Sequence, residues 1–448
     1  MFRKALIASL IITVLAATLV WQTDLSVYES VSVSLFLYLL GEALAYLGQR
    51  LIFPELIGAV AVLELAFMAV LDYNFAPRIQ MQINAADYFS FVLPALLAFL
   101  FGLRITAHTF SVNSEVMNQI RELVQANPFG FIYLMSIGLA AILIKPFAWS
   151  DMASLFDFLS NGLMVGALYG YYSLTRNKYV PLMLAILVLL ALTVIEGMFG
   201  RLFYWTVFWV IFISLDQPLM KKVGVKVLGL VLVSAFFLLV QSLKFEYRYN
   251  MWGNSVKERN ADATLMVDLI NNRLKNFDQL ISFEAILGSS SRLNNGVMLS
   301  SAMAHVPQRT PFANGEVLSS FFTPFIPRFF WPDKPITGGY QNISKYTSIL
   351  LFDGNSINIS PIGEGYVNFG VEGGILFALF YGLLIGGCYA LVTRFSQQSP
   401  TIILWLPVLF FTAFNMETDL LTVWGTLIIN SVYCFLLIRL LKYVNITV

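Results

Sequence analysis

The chain has 448 residues, 58% of them hydrophobic and 12% charged, with a formal net charge of +1. So little charge cannot cover the surface of a soluble protein of this size, and the apolar residues fall into runs of about 18 to 22, enough to cross roughly 30 Å of hydrocarbon. The composition therefore excludes a soluble enzyme, and the two cysteines, Cys388 and Cys434, both inside apolar runs, offer neither a disulfide framework nor a metal-ligand spacing.

Taken in chain order, the apolar runs predict an all-α polytopic membrane protein with about twelve transmembrane helices. They lie near Ala5 to Val20, Val31 to Leu47, Leu51 to Leu71, Tyr88 to Leu103, Phe129 to Pro146, Met152 to Leu174, Tyr179 to Gly197, Leu202 to Leu215, Val225 to Leu243, Gly370 to Val392, Thr401 to Phe414 and Leu421 to Leu440. The opening Met1-Phe2-Arg3-Lys4 and its apolar run resemble a signal peptide, but no small-residue cleavage site follows, so it reads as a retained first helix. Alternate connections collect the cations: Arg3 and Lys4, Arg50, Arg104 and Arg121, Arg176 and Lys178, Lys221, Lys222 and Lys226, Arg394, then Arg439 and Lys442. By the positive-inside rule both termini are cytoplasmic, and the long polar stretch over residues 246–361 is outside, as are the turns at Arg201 and Glu417. Three parts result: an N-terminal bundle over 1–245, a partly helical outer loop over 246–361 and C-terminal helices over 362–448.

No internal repeat or low-complexity segment is evident, and no nucleic-acid partner is expected. The sequence has no G-x-x-x-x-G-K-[ST] loop for ATP and no G-x-G-x-x-G after a strand, so activation must arrive with the substrate. A lipid carrier bearing its own pyrophosphate leaving group meets that need at an outward-facing site.

Chemistry concentrates in the outer loop. Lys244 to Trp252 alternates charge and aromatic residues, which fits an interfacial belt as well as a ligand contact. From Thr264 to Leu287 apolar residues recur at helical spacing, predicting an amphipathic helix. Arg292, His305, Arg309 and Glu316 follow, and then Pro327-Arg328-Phe329-Phe330-Trp331-Pro332-Asp333-Lys334-Pro335. Proline stiffens that backbone, Arg makes forked hydrogen bonds to phosphate and Lys supplies a compact charge, so Arg328 and Lys334 suit a pyrophosphate; pairing of Arg328 with Asp333 is the plainer alternative. The glycine-rich Ser360 to Gly374 allows close backbone approach, offers free N–H groups where a helix begins, and carries Glu364, an acid able to take a proton from a sugar hydroxyl. Helix capping and close packing explain those glycines equally well. Arg201 sits in a tight outer turn, where it either meets a lipid-linked phosphate or pairs with Glu196; Glu417 occupies another outer turn, placed to bind sugar or an arginine. The sequons at Asn342 and Asn358 are short enough to arise by chance.

The span count, the single large late loop, the Pro-Arg-x-x-Trp-Pro-x-Lys-Pro segment and the Ser-x-x-x-Glu-x-x-x-Asn-x-Gly-x-x-x-Gly segment together resemble bacterial Wzy-type oligosaccharide repeat-unit polymerases, relatives of O-antigen ligases in the GT-C membrane glycosyltransferase class. The resemblance implies a GT-C-like fold in a bacterial inner membrane, with the long loop periplasmic, and a cofactor-free, metal-independent reaction. In it, a glycan moves from one undecaprenyl-pyrophosphate-linked donor to a second lipid-linked repeat unit, with membrane lipid and a Wzz-type chain-length regulator as further partners. Residue by residue, it implies that Arg201, Arg328 and Lys334 hold pyrophosphate, that Glu364 or, less directly, His305 acts on the acceptor, and that Arg248, Tyr340, Asn368 and Glu417 contact substrate. A ligase would differ only in its acceptor. A flippase or other transporter would use the intramembrane acids Glu42, Glu55 and Glu64, which otherwise read as buried structural partners.

Overall fold

The computed structural model describes residues 2–75, 81–107, 112–149, 152–252, 262–276, 278, 282–326, 331, 339–349 and 357–443. Among them the chain is helical throughout, with no strand beyond a single bridge between Arg50 and Asn113. The helices are α1 Phe2–Gln22, α2 Val27–Tyr46, α3 Phe53–Asn74, α4 Ala85–Ala107, α5 Ser114–Ala126, α6 Gly130–Ile144, α7 Ala153–Ser160, α8 Gly162–Ser173, α9 Val180–Glu196, α10 Gly200–Asp216 and α11 Val223–Trp252. The segment over 246–361 contributes α12 Ala263–Lys275, α13 Phe283–Ser290, α14 Gly296–His305 and α15 Tyr340–Tyr346, and the chain closes with α16 Pro361–Phe395, α17 Pro400–Leu409 and α18 Leu420–Tyr443. Seven described helices are long and apolar enough to cross a membrane, α2, α3, α4, α6, α11, α16 and α18, and three shorter apolar helices accompany them. The protein is thus a helical membrane protein.

Several predicted elements differ in their limits. The run Met152 to Leu174, expected as one helix, breaks at Asn161: Ser160 Oγ and Asn161 Nδ2 both donate to the Asp157 carbonyl, at 2.8 and 2.9 Å, and compete with the helical ladder there. Thr401 to Phe414 is likewise split into short turns rather than one span. The amphipathic stretch expected over Thr264 to Leu287 forms two helices, α12 and α13. The long helix expected from Gly370 is present, and within α16 a shorter helical segment over 361–369 precedes it, because Ser360 Oγ accepts from Gly363 N at 3.0 Å and Pro361 stands where no amide donor is needed. Glycine at 370 then bends the helix with φ +69°, a conformation other residues rarely adopt.

Helices α4 and α16 run parallel at the centre of the bundle, with Phe91 beside Gly374, Phe99 beside Gly382 and Thr106 beside Gly386. A Cβ at Gly382 would stand 2.1 Å from the Phe99 carbonyl oxygen, and one at Gly386 2.4 Å from that of Leu103, so these glycines bring the two backbones into direct contact. At one end of the bundle the cations of the sequence are neutralised in place: Arg50 pairs with Glu55, Arg104 with Glu42, and Arg121 and Lys178 share Asp216. Glu42 and Glu55 are therefore structural partners. The opposite end holds acids of another kind.

Candidate functional site

The hexapeptide Asn415 to Leu420 joins α17 to α18 over a pad of aromatic rings, where Phe414 packs on Phe53 and Phe208 with centroids 5.3 and 5.0 Å apart. Two buried carboxylates from separate spans hold its two ends. Glu64, 4% exposed, accepts from Met416 N at 2.8 Å, and Glu364, 3% exposed, accepts from Leu420 N at 2.8 Å. Between these anchors Asp419 caps α18 by accepting from Thr422 N at 2.6 Å, and Asn415 Oδ1 accepts from Glu417 N at 2.7 Å. Asn358 Nδ2 reaches the Glu417 carbonyl at 3.2 Å.

Each anchor is completed by an amide side chain rather than a cation. Glu64 lies in a π-helical turn, Leu63–Phe67, within α3; Asn295 Nδ2 donates to its carboxylate at 2.8 Å and Asn295 N to its carbonyl at 3.0 Å. A π turn widens a helix by one residue and aims a side chain off the regular ladder, which is why such turns gather at functional sites. Glu364 accepts from Asn342 Nδ2 of α15 at 3.1 Å, so both of its oxygens are engaged. Asn368, one turn on, donates to the Glu364 carbonyl at 2.7 Å and accepts from Gly315 N at 2.9 Å, binding the outer segment to the start of α16. Further out, Asp72 accepts from Asn294 Nδ2 at 2.6 Å. Among the described residues neither Glu64 nor Glu364 makes an ion pair.

Glu417 differs from both. Its side chain is exposed at this end of the bundle, with neighbouring protein excluding part of its hydration. That enclosure holds its carboxyl above the usual range, opposed by the positive charges of Lys244 and Arg248. Those two residues stand one turn apart on α11, and Arg292 adds a third cation near Lys244. Arg248 also donates from Nε to the Gly197 carbonyl at 2.8 Å and meets Met198 Sδ at 2.8 Å, fastening α11 to the turn that precedes Arg201. This end of the bundle therefore combines one acid with several cations.

The candidate residues divide accordingly. Arg248 and Glu417 come together, and Glu364 and Asn368 sit on one turn of α16 that reaches the same hexapeptide. Arg201 is bonded elsewhere: it donates to Ser160 Oγ at 2.7 Å and Asn161 Oδ1 at 3.4 Å, with the charges of Glu196 and Asp157 near it. His305 ends α14, with Nε2 3.0 Å from Thr310 Oγ1, and makes no hydrogen bond to Glu364. Tyr340 opens α15, whereas Arg328 and Lys334 lie outside the described residues. Among the described residues no group of three or more His, Cys, Asp or Glu is arranged to hold a metal.

Four contributors were not singled out for the site by sequence: Glu64 as an anchor, Asn295, Asn342 and Lys244. A lone acid inside an apolar span was the available signal for Glu64. Asn342 and Asn295 carried none, because an amide that donates to a distant carboxylate looks like any loop asparagine.

No curated protein and no solved structure matches the chain. A family profile matches residues 66–393, which takes in α4 to α15, the last turns of α3 and most of α16. The chain therefore belongs to the family described as Domain of unknown function (DUF8712).

Proposed function

We propose that this protein is a membrane glycosyltransferase of the repeat-unit polymerase kind. It would transfer a glycan from an undecaprenyl-pyrophosphate-linked donor to a second lipid-linked oligosaccharide at the outer face of a bacterial inner membrane. The observation that carries this reading is the cluster of charge in which Glu417 lies within electrostatic reach of Lys244 and Arg248, on the turn that Glu364 anchors. Cations stabilise the charge that develops on a departing pyrophosphate, and an enclosed carboxylate with a raised affinity for protons is suited to accept one from a sugar hydroxyl. In this proposal Arg248, Lys244 and the loop residues Arg328 and Lys334 bind the donor pyrophosphate. Arg201 supports the neighbouring turn.

Sequence alone gave the proton-accepting role to Glu364. Both Glu364 oxygens already accept structural hydrogen bonds. We therefore assign the proton to Glu417 and give Glu364 the task of holding the turn that presents it. The test is polymer formation from purified lipid-linked repeat units, with donor binding measured in parallel. Glu417→Gln should leave donor binding within about twofold and slow transfer by roughly 10²- to 10⁴-fold, the usual contribution of a general base. Full polymerisation by this variant removes Glu417 from the mechanism, and loss of wild-type activity in EDTA, restored by a divalent ion, overturns the metal-independent reaction.

Glu64 supports a second reading. An acid within a span, bonded to Asn295 and Met416 N but to no cation among the described residues, is a feature of proton-coupled transporters. Translocation of a lipid-linked glycan without polymer formation in proteoliposomes would favour that reading over the transferase.

A further inference from the structure

A groove of about 600 Å³ opens between the last turns of α16, α17 and the second half of α18, at the end of the bundle remote from Glu364. Its size falls within the ~300–1,000 Å³ of ordinary small-molecule sites. Ile402 and Ile438, each 7% exposed, form its floor, while Leu391, Phe395 and Phe435 stand at its open edges, 66%, 45% and 51% exposed. The groove is therefore a lateral slot in the surface that faces lipid.

Its lining changes character along the bundle axis. Ser431 and Arg439 border it on α18 across a rise of about 12 Å, close to the ~15 Å half-thickness of the hydrocarbon core. At the deep end Leu391 and Leu409 line it, and the Ser431 hydroxyl donates within its own helix to Leu427 O at 2.7 Å. At the shallow end are Gln398, Ser399 and Arg439. The Arg439 guanidinium lies 5.2 Å from the Phe435 ring centroid, and no carboxylate pairs with it among the described residues. An apolar slot one leaflet deep, ending in one cation and two neutral hydrogen-bonding side chains, matches the polarity profile of a single phospholipid.

We propose that this groove is a binding site for one anionic phospholipid, with an acyl chain between Phe395 and Phe435 and the phosphate on Arg439. Gln398 and Ser399 are placed to meet the glycerol and ester oxygens. A zwitterionic lipid would fill the same slot but add a second cation beside the guanidinium, so headgroup charge decides the preference.

The full-length protein, purified in mild detergent, is incubated with phosphatidylglycerol or phosphatidylcholine of identical acyl chains, or with glycerol 3-phosphate. Retained ligand is counted by native mass spectrometry. We expect phosphatidylglycerol to be retained roughly tenfold over phosphatidylcholine, because both phosphates can accept from the guanidinium but the choline cation is repelled by it, with no retention of glycerol 3-phosphate. Arg439→Gln should abolish the preference, and Leu391→Trp, which plugs the mouth from an exposed position, should reduce both lipids. Neither substitution touches the core, so circular dichroism and gel filtration should match the wild type. Equal retention of the two lipids, an unchanged preference in Arg439→Gln, equal capture of glycerol 3-phosphate, or a dimer that covers the groove and excludes lipid would each overturn the proposal.

Discussion

At the scale of single residues, Glu64 and Glu417 should respond differently to substitution. Removing Glu64 leaves the Met416 amide and the Asn295 side chain buried without an acceptor, at about 1–3 kcal/mol for each unsatisfied group. Glu64→Ala should therefore lower the unfolding midpoint markedly, and Glu64→Gln should recover much of the loss, because its carbonyl still accepts; equal destabilisation by both would show that these bonds matter little. Glu417 runs the other way. Its carboxyl binds a proton more tightly in the folded protein than in the unfolded chain, so ionising it opposes folding once pH rises above 4.5, the ordinary value. Glu417→Gln should raise the midpoint of thermal unfolding near neutral pH, and the gain should vanish well below pH 4.5, where the wild-type side chain is protonated in both states. A destabilised Glu417→Gln at neutral pH would mean that its attraction to Lys244 and Arg248 outweighs enclosure. Sequence could place Glu417 in an outer turn near an arginine, because charge alternation fixes which turns share an end of the bundle. It could not rank Glu417 against Glu364, since the ranking depends on which carboxylate finds amide partners far away in the chain.

Among the elements, α16 joins site and scaffold as two helical segments that meet at the kink at Gly370. Its glycines looked like a loop leading into a helix because glycine is a poor helix former. Packing overrides that preference: a side chain at Gly382 would strike the backbone of α4. Gly382→Leu should accordingly destabilise the protein by about 1–3 kcal/mol or more, whereas Gly387→Leu, on the same helix with nothing within 4 Å of its Cβ direction, should be nearly neutral. The unfolding midpoints of the two variants in detergent provide the comparison, and similar losses at both positions would argue against a backbone-to-backbone seam. Apolar periodicity revealed that α4 and α16 exist, but not that they are neighbours; that information lies in which small residues face each other across more than two hundred positions of sequence.

For the whole molecule, the segregation of charge gives the clearest expectation. Paired cations collect around Glu42, Glu55 and Asp216, while the unpaired acids Glu64 and Glu364 face the other way. If the positive-inside rule orients the bundle, a cysteine at exposed Ser344 should react with an impermeant maleimide in intact cells, and one at exposed Gln397 only after permeabilisation, in a background lacking Cys388 and Cys434. The reverse pattern would invert the topology and move Glu417 and its neighbouring cations to the cytoplasm. This much of the architecture was readable from sequence because hydropathy and charge act on every residue of a span. The outer segment was harder, since short helices such as α14 and α15 are specified by contacts with the bundle rather than by their own periodicity.

Anchoring one hexapeptide to α3 at Met416 and to α16 at Leu420 makes it a gauge of how those two helices are registered against each other. A bilayer that is too thick or too thin tilts and slides its spans at a cost of fractions of a kcal/mol per Å, and such sliding would pull the two ends of the hexapeptide apart before it disturbed the glycine seam. Glu417, next to the Met416 anchor, would then lose its alignment with Lys244 and Arg248 while the fold persisted. Turnover measured in proteoliposomes of graded acyl-chain length should pass through a sharp optimum although thermal stability barely changes, and a flat profile would mean that the hexapeptide does not transmit strain between the spans.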